Sequence, residues 1–113
     1  MFNGKIEENV VISNEITTIK AYSFYGCTSI KTIELGNSVT IIEGQAFYGC
    51  TGLEKVIIPK SVVSIGDWAF SDCTNLTIYC KNSSKPSGWT SNWNRDWAQG
   101  NKNTYRPVKW GVV

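Results

Sequence analysis

Ser38-Val39-Thr40-Ile41-Ile42-Glu43-Gly44-Gln45-Ala46-Phe47-Tyr48-Gly49-Cys50-Thr51-Gly52-Leu53-Glu54-Lys55-Val56-Ile57-Ile58-Pro59 is one unit of a repeat. Its landmarks return at a constant step: Phe24, Phe47 and Phe70, then Cys27, Cys50 and Cys73, then Thr28, Thr51 and Thr74. Ile12, Leu35 and Ile58 keep the same step, so the register does not drift. A fixed period of this size is the mark of a solenoid, in which a single coil cannot bury its apolar face without neighbours. The architecture follows from the repeat. The ligand does not, because a repeat describes a scaffold.

Within the unit, Leu53 to Ile58 reads L-x-x-L-x-L, with Val56 and Ile58 alternating inward as strand residues do. Ile30, Ile33 and Leu35 fill those columns one unit earlier. At the start of the chain they are Glu7, Val10 and Ile12, so the first strand keeps only its last two anchors. Gly36 and Pro59 end the strands and begin turns. A second short extended segment carries the inward pairs Ile16/Ile19, Val39/Ile42 and Val62/Ile65, rich in β-branched residues, and Gly44 or Gly66 relieves the corner after it. Ala46, Phe47, Cys50 and Leu53 then fall at i, i+1, i+4 and i+7, which predicts about one helical turn with one face inward. Ser23-Phe24…Cys27 and Ala69-Phe70…Cys73 repeat it. Each coil is predicted as strand, bend, short strand, helical turn.

The string S-V-T-x-I-x-x-x-A-F-x-G-C-T-x-L-x-x-I-x-I-P resembles the BspA-like class of leucine-rich repeat, and Ser38 to Pro59 matches it nearly position for position. The likeness covers about residues 10–80 as three copies. It implies an α/β fold: a right-handed β-α superhelix of about three coils, with the L-x-x-L-x-L strands lining a concave sheet. It also implies that Phe24, Phe47 and Phe70 form a buried spine, with Cys27, Cys50 and Cys73 a ladder near the convex side. A parallel β-helix is the competing architecture, and the helical A-F-x-x-C segment argues against it.

After Leu76 the pattern slips by one, with Ile78 and Cys80 standing one position short of a full step after Val56 and Ile58. Residues 81–88 form a polar, turn-rich connector. Trp89, Trp93 and Trp97 then fall at i, i+4 and i+8, predicting one helix face, with Ser84 or Ser87 as its cap. Val108 and Trp110 alternate with Lys109 as a short final strand. A row of aromatics suits sugar stacking, but the last coil also exposes core and sheet edge that something must cover. Trp89, Trp93, Trp97 and Trp110 are read as that cap, and K-P-S-G-W…W-N…R-P-V-x-W-G resembles a terminator of such arrays. The chain is thus expected to be one domain over residues 1–113: a lead-in at 1–9, repeats at 10–80, and the tryptophan-rich cap at 81–113. With so little ahead of the first coil, it is either the C-terminal slice of a longer array or has an open front edge. That edge would support a closed homodimer through residues 1–24.

Composition narrows the function. Eleven basic and nine acidic residues are scattered along the chain, with no basic stripe for nucleic acid. No apolar run approaches the roughly 20 residues of a membrane span, and the first residues lack the apolar core of a secretory signal. Histidine is absent, which removes the commonest general base and zinc ligand. Three of the four cysteines share one repeat column, and stacked coils hold equivalent Cβ atoms about 4.7–4.9 Å apart, beyond disulfide reach. They are read as free, buried thiols. No enzyme activity, metal or cofactor is expected.

What remains is binding. The outward columns of the concave sheet should be Asn9, Thr32, Lys55 and Thr77, then Val11, Glu34, Ile57 and Tyr79, which vary between copies while inward positions do not. The family resemblance, which includes surface proteins and adhesins for host matrix proteins, implies protein recognition at a cell surface or in a secreted setting. The alternatives are a purely structural terminal segment of a larger surface protein, or a glycan site at the tryptophan-rich end.

Overall fold

Short β-branched runs give eight strands among the described residues: β1 (Asn9–Val11), β2 (Thr18–Ile19), β3 (Thr32–Glu34), β4 (Ile41–Ile42), β5 (Lys55–Ile58), β6 (Ser64–Ile65), β7 (Thr77–Cys80) and β8 (Val108–Lys109). They come from a computed structural model that describes residues 8–96 and 105–112. No strand pairs with its neighbour in sequence until β8. Instead the chain travels once around a coil and lays each strand beside its equivalent, giving a parallel five-stranded sheet ordered β1-β3-β5-β7-β8 and a parallel three-stranded sheet ordered β2-β4-β6. The sequence period becomes the register: Val10 opposes Ile33, and Ile33 opposes Val56. The one-residue slip after Leu76 is absorbed between β5 and β7, where Val56 opposes Ile78.

The inward columns make the core. Val39, Ile42, Phe47, Leu53, Val56, Ile58, Val62, Ile65, Phe70 and Ile78 have no solvent-accessible surface. Phe24 stacks on Phe47 at 5.0 Å between ring centroids, and Phe47 on Phe70 at 4.9 Å, both pairs nearly parallel. The first described coil is less covered: Val10, Ile12, Phe24, Cys27 and Ile30 are half-buried. Ile16 departs from its expected inward role and is 41% exposed, where its equivalents Val39 and Val62 are buried.

The helical turn expected in each coil is not there, and no helix occurs among the described residues. Residues 45–50 run instead as successive tight turns. Tyr48 N–H donates to the Gln45 carbonyl and Cys50 N–H to that of Phe47, both three residues back. The intervening amides leave the coil altogether, Gln45 N–H to Asp67, Phe47 N–H to Ala69 and Gly49 N–H to Ser71. An i→i−4 ladder cannot form when every second N–H bonds to the next coil. The backbone also turns left-handed at Gln45 (φ 62°) and Gly49 (φ 73°), which a right-handed helix does not tolerate. The expected α/β superhelix is therefore, among these residues, a parallel β-solenoid of about three turns whose corners ladder as its strands do. Gly66 belongs to one such corner: a Cβ there would lie 2.5 Å from the Gly44 nitrogen, so coil spacing itself demands glycine.

All four cysteines are free thiols. Cys50 Sγ donates to the Phe24 carbonyl at 2.8 Å and Cys73 Sγ to that of Phe47 at 3.0 Å, each tying its coil to the one before. A hydrogen bond with Cys50, then burial, raise the Cys73 thiol far above its ordinary range, and burial pushes Cys80 up to about 12.

The far end departs from the expected helix. Trp89 forms a parallel bridge to Ile65, and residues 91–94 are turns. The repeat in fact continues here in disguise. Trp93 follows Phe70 by one full period and meets its ring edge-on at 6.1 Å. Trp68 N–H donates to the Asn92 carbonyl, as its equivalent Gln45 donates to Asp67. Trp89 packs edge-on to Trp93 at 4.8 Å and stacks on Trp110 at 5.8 Å, and its indole N–H donates to the Val62 carbonyl. Asp96 stands one full period after Cys73 and is buried. Its carboxylate accepts from Asp72 N–H at 2.9 Å and from Arg106 at 2.8 Å, while the same guanidinium donates to the carbonyls of Cys73 and Thr74.

This packing sets the stability outcomes. Phe47→Ala, at the centre of the stack, should lower the urea-unfolding free energy by roughly 3–5 kcal/mol; a loss below about 1 kcal/mol would contradict the burial described. Arg106→Met should destabilise by about 3–5 kcal/mol because it strands the Asp96 carboxylate in the interior. The double change Asp96→Leu/Arg106→Met should recover much of that loss, and a double-variant loss equal to the sum of the Asp96→Leu and Arg106→Met losses would show that the pair is not coupled. Thiol titration of the denatured, unreduced chain should return four groups. In the native chain Cys27 should react first, being the only one not fully buried. Because the folded Cys80 thiol holds its proton to about 12 and an ordinary one to 9.0, stability should be full below pH 9 and fall as pH rises towards 12.

Candidate binding face

Period-two alternation turns the other half of each strand in the five-stranded sheet to solvent. The structure places Asn9, Thr32, Lys55 and Thr77 in one continuous rank across β1, β3, β5 and β7. Val11, Glu34, Ile57 and Tyr79 form the parallel rank beside it, extended on β8 by Lys109, which is not among the expected residues. Thr32 Oγ1 donates to Asn9 Oδ1 at 2.6 Å, so the first two rungs of one rank hold each other. Lys55 Nζ lies 4.8 Å from the centre of the Tyr79 ring, a cation–π contact that joins the ranks diagonally. At the rim, Lys31 and Glu54 pair at 3.7 Å through largely exposed side chains, a contact worth little to stability.

Two shallow hollows lie along this face. One is floored by Val11, Thr32, Glu34, Lys55 and Ile57, and the other by Glu34, Lys55, Ile57, Tyr79, Lys81 and Val112. Glu34, Lys55 and Ile57 are shared, so the hollows are parts of one surface. Its chemistry is mixed: apolar Val11 and Ile57, an aromatic ring, a carboxylate and two ammonium groups. Thr77 keeps its register place but lines neither hollow.

The remaining residues singled out in the sequence lie elsewhere. Phe47, Phe70, Cys50 and Cys73 are buried and Phe24 and Cys27 half-buried, all on the turn-rich corner of the coil rather than on the sheet face. Trp89 and Trp93 are 1% and 3% exposed, so neither ring offers a face to a sugar, and Trp110 is half-buried against them. Trp97 lies outside the described residues. Sequence reasoning misses Asp96 and Arg106, although the full-period step from Cys73 to Asp96 is there to be read. A change from thiol to carboxylate hides such a match. Among the described residues no cluster of three His, Cys, Asp or Glu side chains is placed to hold a metal ion, and no helix is long and apolar enough to cross a membrane.

The model of a family described as the BspA type leucine rich repeat region (6 copies) matches residues 1–86 of the 113. No curated protein and no solved structure gives a significant match to the chain. A match over three quarters of the chain, on residues that stack as the repeat requires, makes this protein a member of the BspA-type leucine-rich repeat family.

Proposed function

We propose that the chain is a non-catalytic recognition module that binds a protein partner through the outer, concave face of its five-stranded sheet, as part of a secreted or surface-exposed protein with an adhesive role. The observation that carries this reading is the contrast between ranks. Inward residues are uniformly apolar, while the outward ranks set Ile57, Tyr79 and Lys55 beside Glu34 on one open surface. A partly exposed isoleucine and tyrosine ringed by opposite charges is the composition of a small interface centre with a polar rim. The face is short, five strands wide, so one such segment should bind weakly and gain from additional coils. The absence of histidine and the family to which the chain belongs both favour binding over chemistry.

The test is a panel of immobilised extracellular matrix proteins probed with the chain by surface plasmon resonance. Ile57→Arg and Tyr79→Ala should each weaken binding by about tenfold or more, as interface-centre substitutions do. Thr51→Ala, on another side of the coil, should leave it unchanged. Binding that survives both sheet substitutions would move the interface off this face. No binding across the panel would leave the structural role, as a terminal segment stabilising a larger protein, as the better reading.

A further inference from the structure

We propose that Tyr22, Tyr25 and Tyr48 form an aromatic corner that binds a quaternary or methylated ammonium group, at a site separate from the sheet face. The three tyrosines come from two adjacent coils and, with Gln45, line one open concavity on the turn side of the solenoid. Tyr22 and Tyr25 are 54% and 60% exposed, unusually open for large aromatic side chains. Their rings stand at 75° with centroids 5.7 Å apart, and Tyr25 continues onto Tyr48 at 5.8 Å and 24°. Two ring faces meeting near a right angle suit a compact, roughly spherical group. A flat sugar ring would ask for one coplanar platform.

The corner is held in shape. Tyr22 O–H donates to Gln45 Oε1 at 2.7 Å, and both residues sit in the left-handed backbone region at φ 62°. Burial, and then the neighbouring Asp72 carboxylate, raise the Tyr48 phenol above its ordinary range. Glu43 Oε1 accepts from the Ala21 N–H, directly before Tyr22. Two carboxylates thus lie beside this corner, and among the described residues no basic side chain lines the concavity. The negative faces of tyrosine rings, with carboxylates beside them, attract a cation. A methylated ammonium loses little water on entering, whereas a lysine ammonium is strongly hydrated.

A second observation points the same way. Tyr22, Gln45 and Trp68 occupy one column, each a full period from the next and each at positive φ. At Trp68 the column already receives a cation from the chain itself, with the Arg95 guanidinium 5.9 Å from the ring centre. Among the described residues, the first two coils place no cation of their own within the concavity that Tyr22, Tyr25, Gln45 and Tyr48 line.

The experiment titrates the full chain with choline and with dimethylbutanol, its neutral isostere carrying tert-butyl in place of trimethylammonium, and follows tyrosine ring resonances by NMR. Choline should shift the Tyr22, Tyr25 and Tyr48 signals and bind roughly five- to tenfold more tightly than the isostere. Tyr25→Leu should abolish the difference, and Tyr48→Phe, which keeps the ring, should retain it. Equal binding of choline and isostere, no binding of choline, or binding indifferent to Tyr25→Leu would each overturn the proposal. Phosphocholine-bearing vesicles and an Nε-trimethyl-lysine peptide, each against its unmethylated counterpart, then separate a lipid headgroup from a modified side chain as the source. The sheet substitution Ile57→Arg should leave choline binding intact, so this site and the protein-binding face stand or fall separately.

Discussion

Backbone hydrogen bonding from coil to coil is the constraint from which the other features follow. Thr32 N–H reaches the Glu8 carbonyl, Lys55 N–H that of Lys31, and Thr77 N–H that of Glu54, and the corners do the same in the opposite sense. A buried N–H left without a partner costs as much as a lost hydrogen bond, so every coil must place its amides opposite the carbonyls of the next. That fixes the length of the step and puts like over like. Phenylalanine lands on phenylalanine, cysteine near cysteine, and where the corner closes most tightly only glycine fits. The repeat in the sequence is the imprint of a hydrogen-bond register, and the hydrophobic columns take their position from it.

The same constraint explains the last turn. A third coil whose corner amides and carbonyls faced nothing would be as costly as an uncovered core. The chain answers with a coil that keeps the geometry and changes the chemistry. Asn92 supplies a backbone carbonyl to Trp68, as earlier coils do, but further along the same corner the acceptor for Asp72 N–H is a side chain, the Asp96 carboxylate. Arg106, just ahead of β8, fills the reciprocal role by donating to the carbonyls of Cys73 and Thr74. A buried ion pair is not in itself a stabilising device, because desolvation offsets much of the attraction. Here both ions are also surrogate peptide groups, and that is the better account of why they tolerate burial.

The strands are legible in the sequence because alternation with a period of two survives any change of residue within a class. Asn9, Thr32, Lys55 and Thr77 have nothing in common chemically, yet their inward neighbours Val10, Ile33, Val56 and Ile78 place them without ambiguity. The corners are not legible, for a related reason. Apolar residues at i, i+1, i+4 and i+7 describe a helical face and a chain of tight turns equally well. What separates the two is a left-handed residue, and at Gln45 and Trp68 the residue type gives no hint of it. The tryptophans mislead in the same manner: a spacing of four reads as a helix, whereas the full-period spacing from Phe70 to Trp93 is the informative one. Ile16 shows the limit of column reasoning, since it is exposed while Ile19, its inward partner in the same coil, is buried.

The two left-handed columns bear on where function sits. Gly26, Gly49 and Asp72 share one, and in two coils out of three the residue is glycine, for which the conformation is free of strain. Tyr22, Gln45 and Trp68 share the other, and there glycine never appears, although each non-glycine residue held there costs of the order of 1–2 kcal/mol. A corner that needed only to bend would be more stable with glycine in both columns. The strain must be offset by what the side chains do once there. Tyr22 grips Gln45 and braces Tyr25, and Trp68 lies against Arg95. Those contacts are on the outside of the solenoid and stiffen a surface rather than fill a core. Large side chains in a strained backbone, fixed to one another and open to solvent, distinguish this corner from the turns beside it.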